Sequence, residues 1–267
     1  MSSKLLKVGL EGAGYVNKSA TPKRQIKYSL GFNGTFVVQA KAFFINTYHS
    51  ENSALSEIIH QTNFRPQDIA VFDKGLSSRK KLEKLDLCNI RFVTRISASS
   101  IFEVCQELPF STIINSEDQT VVVLCDSLVN CFDGNKKRID TPFRVVTCRQ
   151  KTTGEKLYFL TNMLDVKALE IAQIYRLRWD IEKFFKFIKQ NLSFSHLLSR
   201  QEHSIQIVLY LTLIAASMIY LYKKLNVIDG FKIAKMRFLN ELQTEIIKII
   251  ASQYQNNLSA IENLAGP

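Results

Sequence analysis

Four residues between positions 175 and 189 carry functional groups at helical spacing: Tyr175, Arg178, Glu182 and Lys189. At about 100° per residue they fall within an arc of roughly 60°, along the edge of one helix face. A phenol, a guanidinium, a carboxylate and an ammonium then form one row over about four turns. The carboxylate can hold a hard cation. The Arg can hold a phosphate bidentately and the Lys can do so as a point charge. On an ordinary solvated helix the same groups would do less, and an Arg178–Glu182 pair at i,i+4 is worth only about 0.2–0.5 kcal/mol.

The stretch that must position this row is YRLRWDIEKFFKFIKQ, residues 175–190, which has no Gly or Pro. Leu177, Ile181, Phe184, Phe185 and Ile188 fall on one side, so the pattern predicts an amphipathic helix with that side on a core. A second acid stands far upstream. DIAVF (68–72) reads as a short apolar strand that runs directly into Asp73. The carboxyl end of a buried strand is where α/β sheets present functional groups, although an Asp there also suits a turn or a helix cap.

The spacing Tyr-x2-Arg-x3-Glu-x6-Lys, with the intervening RWDIEKFFKFIKQN, resembles the signature of bacterial insertion-sequence transposases of the DDE class, the large family called insertion sequence four. VFDKGLSS resembles that family's strand-ending segment, with Leu76 where an aromatic residue is often found. The resemblance implies that Asp73 is the second and Glu182 the last acid of the DDE triad. It implies an α/β fold: an RNase H-like mixed sheet flanked by helices, with an all-β insertion before the helix that carries the Glu. It also implies two divalent cations, Mg²⁺ or Mn²⁺, at Asp73 and Glu182, and double-stranded DNA, transposon ends and target, as partner. Two such cations about 4 Å apart activate the attacking oxygen and stabilise the leaving one. Arg178 and Lys189 would hold phosphates of the transposon end, and Tyr175 would pack on a sugar or donate to a phosphate.

The other elements read in a consistent order. Residues 1–25 form a basic, glycine-containing loop. IKYSLGF (26–32) and TFVVQAKAFFI (35–45) flank Asn33-Gly34, a hairpin signal. A helix over 50–61, the strand ending at Phe72, a basic helix over 77–87 and a strand over 90–96 follow. Strands alternating with helices predict crossovers and a mixed sheet. From Ser97 to Asn162 short β-like runs predict the β-rich insertion, and Asp126, Asp133 and Asp140 read as turn and surface acids. Residues 163–252 supply the helical remainder, with Asp165 as N-cap, helices over 203–225 and 231–252, and a frayed tail over 253–267.

Lys plus Arg number 35 and Asp plus Glu 24, a net charge of +11. Residues 1–50 carry a net +6, and 73–100 and 175–200 carry +4 each. Basic surplus in three separate segments suggests a polyanionic partner. Five cysteines with no C-x-x-C pair argue against a zinc site or disulfide framework and fit a reducing cytoplasm. Residues 203–222 contain no Asp, Glu, Lys or Arg, yet Gln206, Thr212, Ser217 and three tyrosines favour a helix buried on most sides over a membrane span.

One part of the family pattern has no counterpart. The resemblance places SSKLLKVGLEG after the family's first triad aspartate, and Glu11 is the only acid before Asp68. Two acids leave a cation pair under-ligated. The chain is therefore expected to be a transposase lacking its first acid, binding Mg²⁺ or Mn²⁺ weakly and not cutting or joining DNA by itself. A non-catalytic DNA-binding remnant and a metal-dependent nuclease of the same fold are the alternatives. The resemblance also implies a protein on the bacterial nucleoid, possible oligomers on DNA, and no membrane.

Overall fold

The computed structural model describes residues 14–16, 23–25, 27–43, 51–74, 76, 78–110, 120–133, 135–192 and 201–264. Glu11 lies outside them. The elements are β1 (Gly14–Val16), β2 (Lys23–Gln25), β3 (Lys27–Phe32), β4 (Val37–Phe43), α1 (Glu51–Gln61), β5 (Ile69–Phe72), α2 (Arg79–Leu87), β6 (Arg91–Ile96), β7 (Phe102–Glu107), β8 (Val121–Cys131), β9 (Phe143–Gln150) and β10 (Lys156–Thr161). The helices α3 (Ala168–Arg176), α4 (Arg178–Asn191), α5 (Glu202–Leu225) and α6 (Phe231–Leu264) complete the chain. Two compact units result, Met1–Phe184 and Phe185–Pro267, and the division falls within α4.

The first unit is built on a six-stranded sheet in the order β5-β6-β10-β9-β8-β7. β5 and β6 are parallel, joined by a crossover through α2, and the other pairings are antiparallel. The β-rich stretch 97–162 thus supplies four strands of the sheet that also contains β5 and β6. Each face of this sheet carries an apolar layer. On one, Phe92, Ile96, Val145 and Leu160 pack with Ile58 and Ile59 of α1 and Leu82 and Leu85 of α2. On the other, Val93, Val146 and Phe159 pack with Ala168, Ile171 and Ala172 of α3. Strands covered on both faces lose the polar alternation of an exposed sheet, which is why FRVVTCRQ and KLYFLT read as near-continuous apolar runs.

The expected hairpin is β3–β4, closed by a four-residue loop. Asn33 Oδ1 accepts from the amides of Thr35 and Phe36 at 3.1 and 2.8 Å, and Gly34 takes a φ of +87°, where a side chain would be strained. Lys41 ties the hairpin to α1 through Glu57 at 3.0 Å.

Several details differ from the sequence reading. Within the stretch read as a basic loop, β1 and β2 pair. The runs TVVVLCD and LVNCF are one long strand, β8, with a register shift between Val123 and Cys125. Such a shift lets one extra residue pass without ending a strand, so its sequence resembles two short ones. Asp126 is no surface acid: it is 1% exposed and paired with Arg144. Asp165 does not cap α3; Lys167 holds the cap position, and Asp165 accepts from Arg91 instead.

In the second unit α5 and α6 form a helical hairpin, with Tyr222 edge-on to Phe238 at 5.5 Å. Phe231 stacks on Phe187 at 4.5 Å, and Lys235 donates to the Asn191 carbonyl at 2.6 Å. α5 is long and apolar enough to cross a membrane by length and composition. Its buried residues, Ile205, Leu209, Leu213, Ala216 and Ile219, form one stripe, and Ile207, Leu211 and Ile214 are exposed. It is therefore buried on one face and not on most sides, because a 3.6-residue period gives a core only one stripe of a single helix. α6 continues through Leu264, beyond the end of its legible periodicity.

Candidate functional site

Asp73 follows β5 directly and is exposed. The parallel register sets Phe72 opposite Thr94, so β6 brings Thr94 and Arg95 alongside the strand end. Thr94 is buried, and its hydroxyl donates to the Asp73 carbonyl at 3.0 Å, fixing the backbone that carries the carboxylate.

The expected continuous helix over 175–190 is two helices. α3 ends at Arg176 and α4 begins at Arg178, with Leu177 between them in a tight turn. The Leu177 amide bonds to Ile174 and the Asp180 amide to the Leu177 carbonyl, both three residues apart. That shorter ladder rotates the following turn, and Leu177 is 63% exposed instead of facing the core. Phe184, Phe187 and Ile188 form the buried face of α4.

Tyr175 therefore belongs to α3, and Arg178, Glu182 and Lys189 to α4. Tyr175 lies 5.0 Å from Phe159 of β10, ring to ring, and the Arg178 guanidinium sits 5.5 Å from the Tyr175 ring. Arg178 Nη1 donates to Glu182 Oε1 at 2.6 Å. Burial raises the Tyr175 phenol above its ordinary value; Arg178 and Arg95 oppose that shift, and the charge of Asp73 adds to it. Burial disfavours the Arg178 charge, but the bonds to Glu182 and Tyr175 outweigh it and hold its pKa above the ordinary value. Arg178 thus stands between Tyr175 and Glu182. Arg178 Nε is buried without a hydrogen-bond partner among the described residues, a donor without an acceptor. Lys189 stands in the last turn of α4, 5.8 Å from the Phe185 ring.

Asp73 and Glu182 each offer carboxylate oxygens, the ligand type a hard divalent cation takes. Among the described residues no three His, Cys, Asp or Glu side chains come together as a metal-binding group.

The model of the transposase DDE domain matches residues 14–218, from β1 into α5. The chain belongs to the transposase DDE domain family. Its mixed six-stranded sheet between helical layers is the RNase H-like fold of that family. It is 25% identical over 156 residues to a protein of Sinorhizobium fredii named as transposase y4zB, covering 58% of this chain and 43% of the relative. It is 27% identical over 233 residues to a protein of Synechocystis named as the transposase for insertion sequence element IS4SA, covering 84% of this chain and 60% of the relative. The chain thus spans about half the length of these two relatives.

Sequence reasoning missed Thr94, Arg95 and Trp179. The first two sit in IRFVTRI, legible only as a strand, and strand register alone brings them to Asp73. Trp179, the single tryptophan, is 55% exposed with the Arg178 guanidinium 5.5 Å from its ring. In the sequence it stood only as one letter of RWDIEKFFKFIKQN, and its exposure belongs to the folded helix.

Proposed function

We propose that this chain supplies the catalytic core of a DNA transposase, acting on phosphodiesters at the ends of an insertion sequence, with Asp73 and Glu182 as metal-binding acids. What carries this reading is the match to the transposase DDE domain over residues 14–218, together with an acid directly after β5 and an acid on α4 bonded to Arg178 at 2.6 Å. A bound pair of divalent cations, Mg²⁺ or Mn²⁺, would supply activation of the attacking oxygen and charge stabilisation of the leaving one. The chain's own residues bind and orient. Thr94 fixes the backbone of Asp73. Arg178, with an unpartnered Nε, can turn from Glu182 to a phosphate and hold it by two parallel bonds. Burial keeps the Tyr175 phenol protonated, so it donates to phosphate and does not repel it. Lys189, two turns beyond Glu182, adds a point charge for a neighbouring phosphate. Exposed Trp179 offers a face for stacking a base freed from the duplex. The partner on this reading is double-stranded DNA, met in the bacterial cytoplasm.

The alternative is a protein that binds such DNA through its net charge of +11 and does not cut it. One experiment decides. The purified chain is incubated with Mn²⁺ or Mg²⁺ and a plasmid carrying the DNA that flanks its own gene. Metal-dependent nicking at the element ends, lost in Glu182→Gln and Asp73→Asn, supports the enzyme. Tight, specific binding without nicking supports the alternative, and neither binding nor nicking removes both.

A further inference from the structure

The six residues from Asn162 to Lys167 link β10 to α3, and a buried ion pair holds them. Arg144 on β9 and Asp126 on β8 have side chains only 5% and 1% exposed. Arg144 Nε and Nη2 donate to the two Asp126 oxygens at 2.8 and 2.6 Å. Its Nη1 donates to the carbonyls of Met163 at 3.0 Å and Val166 at 2.6 Å. The planar fork thus spans two strands and two points of the connector, which a single ammonium cannot do. Other bonds complete the hold: Asn162 Oδ1 accepts from the Phe92 amide at 3.0 Å, and the Met163 amide donates to Thr161 Oγ1 at 3.1 Å.

The mutual attraction of the pair adds little net stability. Desolvation offsets most of the attraction in a buried pair, and apolar side chains of similar volume often replace one without loss. The layer around it, Val146, Phe159 and Ile171, is already apolar. What the charges provide is direction. From Val166 to Tyr175 the chain advances about 14 Å at helical rise, so a tilt of about 5° at the connector displaces Tyr175 by about 1 Å.

We propose that the Asp126–Arg144 pair is a positioning device: it sets the direction of α3, which packs against β5, and so the placement of Tyr175 near its end and Arg178 just beyond it. Its consequence for DNA chemistry rests on the functional reading above; the geometry it sets can be measured without DNA.

The test uses the full 267-residue chain with Asp126→Leu and Arg144→Met together. The expected result is an unfolding midpoint lowered only by the loss of the two carbonyl bonds, amide exchange over residues 171–176 of α3 faster by about tenfold or more, and lower fluorescence anisotropy of Trp179, the single indole. If the unchanged chain cuts DNA, kcat should fall by about a hundredfold with KM little altered, as for a misplacement of about 1 Å. A folded double variant with unchanged exchange and unchanged Trp179 anisotropy overturns the proposal. Should the double variant not fold, Arg144→Lys keeps a charge opposite Asp126 but cannot hold both carbonyls. It should show the same changes in reduced size, and their absence is equally fatal. Lack of cleavage by the unchanged chain would count against the enzyme reading alone and leave the exchange and anisotropy results standing.

Discussion

Arg178 bonds Glu182 and neighbours Tyr175, so its removal should act on cation binding and DNA binding in opposite senses. Its positive charge beside Glu182 competes with any divalent cation for the same carboxylate. Arg178→Ala should tighten Mn²⁺ binding, read by electron paramagnetic resonance of the free ion, while weakening binding of a DNA duplex. Unchanged or weaker Mn²⁺ binding would separate Glu182 from the cation site. The pair itself should matter little to stability, since Glu182 is 41% exposed and solvent screens it. Two other residues should contribute to the alkaline limit. Burial pushes the Tyr28 phenol from 10.0 up to about 12 and the Cys148 thiol from 9.0 up to about 12, with Asp126 adding to the latter. Both fold as neutral groups with raised pKa values. Their contribution is full below the unfolded values and is lost as pH rises through the folded ones. Urea stability should therefore decline from about pH 9 toward 12, and Tyr28→Phe with Cys148→Val should flatten that decline. An unchanged slope in the double variant would assign the alkaline loss to other groups.

At the scale of elements, β6 joins the parallel pair to the antiparallel part of the sheet, and its Phe92 shows the leverage of a doubly covered strand. It is fully buried, with Phe72 at 6.0 Å and Phe143 at 5.7 Å. Phe92→Ala should cost about 3–5 kcal/mol in denaturant unfolding. Leu87→Ala, at a site 73% exposed, should stay within about 0.5 kcal/mol. Near-equal losses would mean the sheet is not the cooperative core. The same contrast explains what could be read from sequence. β5, β6, β9, β10 and the β3–β4 hairpin were legible because local pattern and turn chemistry agree there. The row from Tyr175 to Lys189 was legible as spacing, but its break at Leu177 was not, because no Gly or Pro marks it. Asp126 was misread because its warrant for burial is Arg144, eighteen residues away and adjacent only through the β8–β9 register. Thr94 and Arg95 were invisible for the same reason: pairing between strands is not written in either strand.

For the molecule as a whole, a charge of +11 guarantees some attraction to any polyanion, so affinity for DNA cannot by itself identify a site. A charge-matched comparison can. Arg178→Ala with Lys189→Ala removes two positive charges from the row, and Lys223→Ala with Lys224→Ala removes two from the last turn of α5. Non-specific attraction depends on the charges removed, so on that ground alone the two variants should lose equal affinity. Contacts to individual phosphates are different. Each one lost lowers the slope of log K against log salt by about 0.9. On the proposed reading, the Arg178/Lys189 variant should bind duplexes bearing the element ends more weakly than the Lys223/Lys224 variant. Its salt slope should also be shallower by about 2, with the other variant near the unchanged chain. A titration by fluorescence anisotropy at several salt concentrations measures both quantities. Equal affinities and equal slopes would leave the row with no role beyond its charge, and the transposase fold would then have to grip DNA elsewhere on its surface.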